Sequence, residues 1–170
     1  MIIMAGANLS EGVVQRTDIV PYMNTGASKE SPTWTQMGAG WTKFSESPNA
    51  QTKSKKYINE KTERESVTRY KPKFDFEADL MHEDLTIKKV YEIQRDRAVG
   101  ADAIVDVLVV DKFTDEEPAD GYPARRMDLA VSVSSVDGDD DMTISGSLNG
   151  QGDDIKGKFK TGTKTFTAEG

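Results

Sequence analysis

The stretch Ile104-Val-Asp-Val-Leu-Val-Val-Asp-Lys-Phe113 decides the reading of this chain. It is a β-branched run, apolar on nearly both faces, and such runs belong to strands covered on both sides. A central strand is expected here, so the flanking sequence must supply its neighbours. Downstream, an acidic turn spans Asp115 to Gly121. Met127, Leu129, Val131 and Val133 then alternate with Asp128, Ala130, Ser132 and Ser134, the period of a half-buried strand. Met142, Ile144 and Leu148 continue the alternation, followed by Ile155, Gly157 and Phe159, and finally by Phe166. The turns between them are read at Asp137-Gly138, Asn149-Gly150 and Thr161-Gly162, of which the first two carry strong hairpin chemistry.

Upstream, one face of Tyr70 to Leu80 is apolar through Phe74, Phe76, Ala78 and Leu80, and Arg69, Lys71, Lys73, Asp75, Glu77 and Asp79 intervene. That is a second half-buried strand. Between His82 and Val99 the period changes, with Ile87, Val90, Tyr91, Gln94 and Ala98 on one face and Gly100 placed as a C-terminal stop. A helix lying on a sheet is expected there, with Lys88, Lys89, Glu92, Arg95 and Asp96 facing water. Thr33 to Phe44 carries Trp34, Met37, Trp41 and Phe44 at helical spacing, but Gly38 and Gly40 oppose a helix, so a strand with a bulge or a close approach is expected. Ser45 to Glu65 is polar and reads as a long exposed loop or hairpin. Residues 1–32, punctuated by Gly6, Gly12, Pro21 and Gly26, read as an extended arm with at most a short strand. The expected fold is mainly β, a β-sandwich or small barrel over residues 33–170 with one flanking α-helix, an N-terminal arm and a long polar loop.

A chain of 170 residues suits one domain. It has no cysteine, which removes disulfides, thiolate metal sites and cysteine nucleophiles together. Met1 to Ser10 has no basic residue before its short apolar run, so no secretory leader is expected. Nothing approaches the roughly 20 apolar residues of a membrane-spanning helix, and no membrane partner is expected. The net charge of -7 argues against a general binder of phosphate backbones. It is also unevenly placed. Residues 29–73 carry ten Lys or Arg against five Asp or Glu, whereas residues 74–141 carry seven against nineteen. Such segments either form solvated faces or complement each other between copies in a head-to-tail contact.

A search for chemistry finds little. His82, the only histidine, stands beside Glu83 and Asp84 and reads as a surface residue. One histidine and no cysteine disfavour a zinc site. Asp137, Asp139 and Asp141 match the first, third and fifth positions of a calcium loop, but Met142 and Leu148 replace its Gly and bidentate Glu, leaving an acidic turn. Gly38-Ala39-Gly40 lacks the third glycine of a dinucleotide fingerprint. Asn8-Leu9-Ser10 fits a glycosylation acceptor in form only. Trp34 and Trp41 read as core or interface residues, with sugar stacking as the other reading. No catalytic residue and no cofactor is expected, and the chain is not expected to be an enzyme.

The order of pieces nevertheless resembles a known family. The segment Trp34-Thr35-Gln36-Met37-Gly38-Ala39-Gly40-Trp41, then Ser47-Pro48-Asn49, Lys56-Tyr57-Ile58-Asn59-Glu60 and Tyr70-Lys71-Pro72 together resemble the major tail tube proteins of siphoviruses. The helix ending Arg95-Asp96-Arg97-Ala98-Val99-Gly100 and the closing segments Ile144 to Asn149, Lys156 to Phe159 and Thr165 to Ala168 are similar to that family's helix and last strands. The resemblance covers most of residues 33–168. It implies a β-sandwich that closes with its neighbours into a ring of six, rings stacked into a tube, and a lumen through which DNA passes as a transient passenger. It also implies a place in the virion tail after synthesis in the bacterial cytoplasm. The implied partners are copies of the chain itself, with tape measure, tail terminator and distal tail proteins. Lys53, Lys55 and Lys56, with Tyr57 and Ile58 as apolar anchor, are the residues expected to contact a subunit of the adjacent ring. The other readings are a tube subunit of a contractile tail or secretion apparatus, and a carbohydrate-binding β-sandwich using Trp34 and Trp41.

Overall fold

The computed structural model describes residues 9–169, and the first eight residues of the expected arm, with Asn8 of the glycosylation triplet, lie outside it. The chain is mainly β with one α-helix, as its alternation requires. In chain order the elements are β1 (Ile19–Asn24), β2 (Trp34–Gln36), β3 (Trp41–Ser47), β4 (Ala50–Lys55), β5 (Arg64–Tyr70), β6 (Lys73–Asp79), α1 (Leu85–Arg95), β7 (Ile104–Asp111), β8 (Tyr122–Asp137), β9 (Thr143–Gly150), β10 (Ile155–Lys160) and β11 (Thr165–Ala168). All strands but β4 and β5 join one antiparallel sheet of order β2-β1-β7-β8-β9-β6-β3, with β10 on β8 and β11 on β10. β4 and β5 form a separate two-stranded sheet.

β8 organises the rest because it is sixteen residues long. β7 pairs along one edge from Ala124 to Ala130. The other edge is divided, with β10 on Tyr122 to Arg126 and β9 from Leu129 to Asp137. This division curls the sheet into a half-barrel. It also gives β7 its two buried faces: Val105, Val107 and Val109 enter the main core with Phe74, Phe76, Leu129, Leu148 and the helix residues Ile87 and Val90, while Leu108 and Val110 enter a smaller core with Tyr22, Trp34 and Phe159.

The helix is shorter than its periodicity. It starts after Asp84, whose carboxylate accepts from the amides of Thr86 and Ile87 at 2.9 and 3.3 Å, satisfying two of the donors a helix start leaves open. It ends before Gly100. The amide of Ala98 donates to the Ile93 carbonyl and that of Arg97 to Gln94, at 3.0 and 3.1 Å, so the left-handed residue that closes the helix is Arg97, at φ 54°. Lys89, expected in water, is half-buried and donates to the Asn24 carbonyl at 2.7 Å.

Three further expectations are corrected. Thr33 to Phe44 is not one strand but β2 and β3, at opposite edges of the sheet. The chain turns between them at Gly40, where φ is +87° and a Cβ would press on Met81 and Ile87. The expected arm becomes a single 3-10 turn at Arg16–Asp18 and then β1, which lies between β2 and β7 and is buried from Val20 to Asn24. Asn149-Gly150 is no turn: Asn149 pairs with Ala130 and Gly150 with Leu129, and a Cβ at Gly150 would come within 2.6 Å of Pro72 Cγ. Close packing, not turn geometry, explains that glycine. The other expected turns do connect strands, β8 to β9 at Asp137-Gly138 and β10 to β11 at Thr161-Gly162.

Candidate self-association surface

The polar stretch after Ser45 is neither wholly loop nor part of the main sheet. β3 and β6 stay paired as far as Ser47 and Lys73, and the chain then breaks at Pro48-Asn49 and Lys71-Pro72. Asn49 takes φ 51°, its side chain donates to the Lys71 carbonyl at 3.0 Å, and the Lys71 amide returns to Pro48 and Asn49 at 3.1 and 3.2 Å. Beyond this root β4 and β5 project as a hairpin. Residues 50–70 are exposed except for the partly buried Gln51 and Glu60. An isolated two-stranded hairpin is marginally stable in water, so this arm lacks the support that the other strands have.

All five residues expected to contact the adjacent ring lie on the arm. Lys53 and Lys55 are on β4, and Lys56, Tyr57 and Ile58 lead into its tip, closed by a Glu60 amide bond to the Tyr57 carbonyl at 3.1 Å. Ile58 is fully exposed and Tyr57 is 45% exposed. The Lys55 ammonium and the Arg64 guanidinium lie 4.9 and 5.6 Å from the Tyr57 ring centre, each an attraction between cation and ring face. Lys55 and Arg64 are also directly opposed across the hairpin. Like charges so placed oppose pairing, and Glu60, ion-paired to Arg64, offsets them in part.

Two polar clusters missed by sequence reading fix the platform that carries the arm. At its root Glu46 of β3 binds Arg125 of β8 through both prongs, at 2.9 and 3.1 Å. Asp154 stands 3.8 Å away. Burial pushes the carboxyls of Asp111 and Asp154 above their usual range, against the attraction of Arg125, and the bond to Glu46 raises Arg125. Deeper, Asp106 on β7 is 6% exposed and is held by Arg126 at 2.6 to 3.1 Å and by Asn24 at 3.3 Å. Burial lowers the Lys89 ammonium nearby, with Asp106 opposing. The signal available was a charged residue inside a run apolar on both faces, which calls for a buried counter-ion.

The tryptophans do not form a sugar platform. Trp34 is 2% exposed, and Trp41 donates its indole N–H to Thr86 Oγ1 at 3.0 Å while its ring meets Phe76 edge-on. His82 is exposed in the turn before α1. Asp137 to Asp141 form the exposed end of the β8–β9 hairpin, and among the described residues no group of three or more His, Asp or Glu is arranged to hold a metal ion. No described helix is long and apolar enough to cross a membrane. Compared with models of known protein families and with curated protein sequences, the chain matches none.

Proposed function

We propose that this chain is a structural protein that works by assembling with copies of itself, as a tail tube subunit of a long-tailed bacterial virus, without catalysis and without a cofactor. The observation that carries the reading is the exposed, positively charged β4–β5 arm. Ordering a residue costs roughly 1–2 kcal/mol of backbone entropy, and the arm buries almost nothing of its own in return. A partner surface supplies the missing burial and counter-charge. The main sheet adds a second requirement, because β2, β3 and β11 each pair on one side only and open edges invite pairing with another chain. In a ring of copies, neighbouring subunits cover those edges. A net charge of -7 suits a conduit that must let a polyanion slide through without holding it.

Sedimentation and negative-stain electron microscopy of the purified protein at rising concentration test the reading. Rings or tubes are expected without nucleic acid or cofactor. A strictly monomeric profile at millimolar concentration, with no rings or tubes in micrographs, overturns it.

A further inference from the structure

The two ends of the β6–β9 pair differ in chemistry. At one end Lys73 faces Asn149 and Ser47, and there the arm leaves the body. At the other end Asp79 faces Thr143, and Thr143 in turn faces Asp137 at the mouth of the acidic turn. The six steps of β6 from Lys73 to Asp79 separate these poles by roughly 20 Å. The far pole is acidic, since residues 79–88 and 137–143 carry seven Asp or Glu against one Lys. Asp139, Asp140, Asp141 and Glu83 are all exposed. It is also apolar at its surface: Met81, Leu85 and Met142 are 48%, 55% and 43% exposed. The Leu80 amide, bonded to the Met142 carbonyl at 2.9 Å, ties the turn before α1 to the start of β9 and so brings these side chains to one end of the molecule.

The arm carries the complement. Its tip presents Tyr57 and Ile58, Lys55 and Arg64 lie over the Tyr57 ring, and residues 53–65 carry five Lys or Arg against three Glu. Resting on the self-assembly reading, we infer that the arm tip of one copy seats Tyr57 and Ile58 against the Met81, Leu85 and Met142 surface of a second copy, with Lys53, Lys55 and Lys56 facing Asp139, Asp140 and Asp141. Flexible methionines mould to an inserted side chain, and opposed potentials set the register. The six residues of β4 give the arm a reach of roughly 20 Å. Because donor and acceptor occupy opposite poles, one copy cannot satisfy its own arm, and the contact is head-to-tail. Contacts of that kind propagate into stacks instead of closing on a pair.

The chain contains no cysteine, so single cysteines report the contact directly. Ile58→Cys and Met142→Cys, both at exposed positions, are purified separately, mixed at an assembling concentration and oxidised. The mixture is expected to give at least tenfold more cross-linked dimer than either variant alone, and the yield falls with added salt as the charges are screened. In parallel, Asp139→Lys, Asp140→Lys and Asp141→Lys together are expected to raise the concentration needed for assembly by on the order of tenfold or more, as loss of a matched charge cluster would. Combining them with Lys53→Glu, Lys55→Glu and Lys56→Glu restores it. If assemblies form but the mixture cross-links no better than the single variants, or the acidic reversal leaves assembly unchanged, this docking is overturned while self-assembly stands. If the unmodified protein stays monomeric at every concentration, the proposed function falls and the docking with it.

Discussion

Glu46 and Arg125 lie 79 positions apart and meet in a two-pronged ion pair that ties the edge strand β3 to β8, one residue before the arm begins to leave the sheet. The pair is a clasp at the arm's root. Two more carboxylates, Asp111 and Asp154, crowd the same guanidinium, and burial holds both above their ordinary range.

Stability should therefore respond to mild acid in an unusual direction at this cluster. A carboxyl whose folded pKa is raised contributes stability that is fully present below its unfolded value, near 3.8 for Asp111, and is lost as pH rises through the folded value. Asp111→Asn keeps the shape and removes the burial cost of the charge. It is expected to melt higher than the parent at pH 7 and to lose that advantage by about pH 4, near the unfolded value. Thermal melts across this range check it, and a lower melting temperature at pH 7 would show that attraction to Arg125 outweighs burial.

The Asp106–Arg126 pair behaves differently because it is nearly sealed, with side chains 7% and 17% exposed. Asp106→Ala leaves the guanidinium without its counter-ion, and breaking a buried pair costs about 3–5 kcal/mol. For a chain of this size the melting temperature is expected to fall by on the order of 10 °C. Asp106→Leu combined with Arg126→Met should recover much of the loss, since an apolar pair of similar volume substitutes well for a buried ion pair. A double variant no more stable than Asp106→Ala would mean that Asn24 and Lys89 also depend on the carboxylate.

Arg97 carries a smaller and opposite effect. It holds φ 54° at the end of α1 without the freedom of glycine. Arg97→Gly is expected to raise stability by about 0.5–1 kcal/mol, measurable in urea titrations. A loss of stability would show that the Arg97 side chain contributes packing that outweighs the backbone relief.

The strands and the helix were legible because their periodicity is set by burial on one face, and burial is what selects the side chains. β7 could be read from its β-branched run and α1 from Ile87 and Val90. What stayed hidden depends on contacts distant in sequence. Gly150 looks like a turn residue until Pro72 is seen packed against it. Gly100 looks like a helix stop until the carbonyls of Ile93 and Gln94 are found to be satisfied by Ala98 and Arg97. β1 was concealed by Pro21 and by the lack of a period, because both its faces are covered and it has no polar face to alternate with. The five residues on the arm are readable from charge and polarity alone, as lysines in a basic stretch set against the acidic stretch after Phe74, with Tyr57 and Ile58 the sizeable apolar side chains among them. Residues 45–65 give only polarity, which fits a loop as well as a hairpin.

The arm itself yields the sharpest separation between folding and assembly. Its strands form a sheet of their own, joined to the body through the hydrogen-bonded Pro48-Asn49 and Lys71-Pro72 crossing. Among its apolar side chains Tyr57, Ile58, Val67 and Tyr70 are all substantially exposed, so removing them takes little hydrophobic stabilisation from the body. Replacing residues 50–70 with a short Gly/Ser linker should leave the circular dichroism spectrum close to that of the parent, apart from the lost hairpin. The melting temperature is expected to change by no more than about 2 °C, which for a chain of this size is under about 1 kcal/mol. Assembly, in contrast, should disappear at every accessible concentration. Assemblies of normal length from this variant would assign the self-association surface to the sheet edges alone. A large fall in melting temperature would show instead that the arm supports the clasp at Glu46 and Arg125, and hence its own subunit.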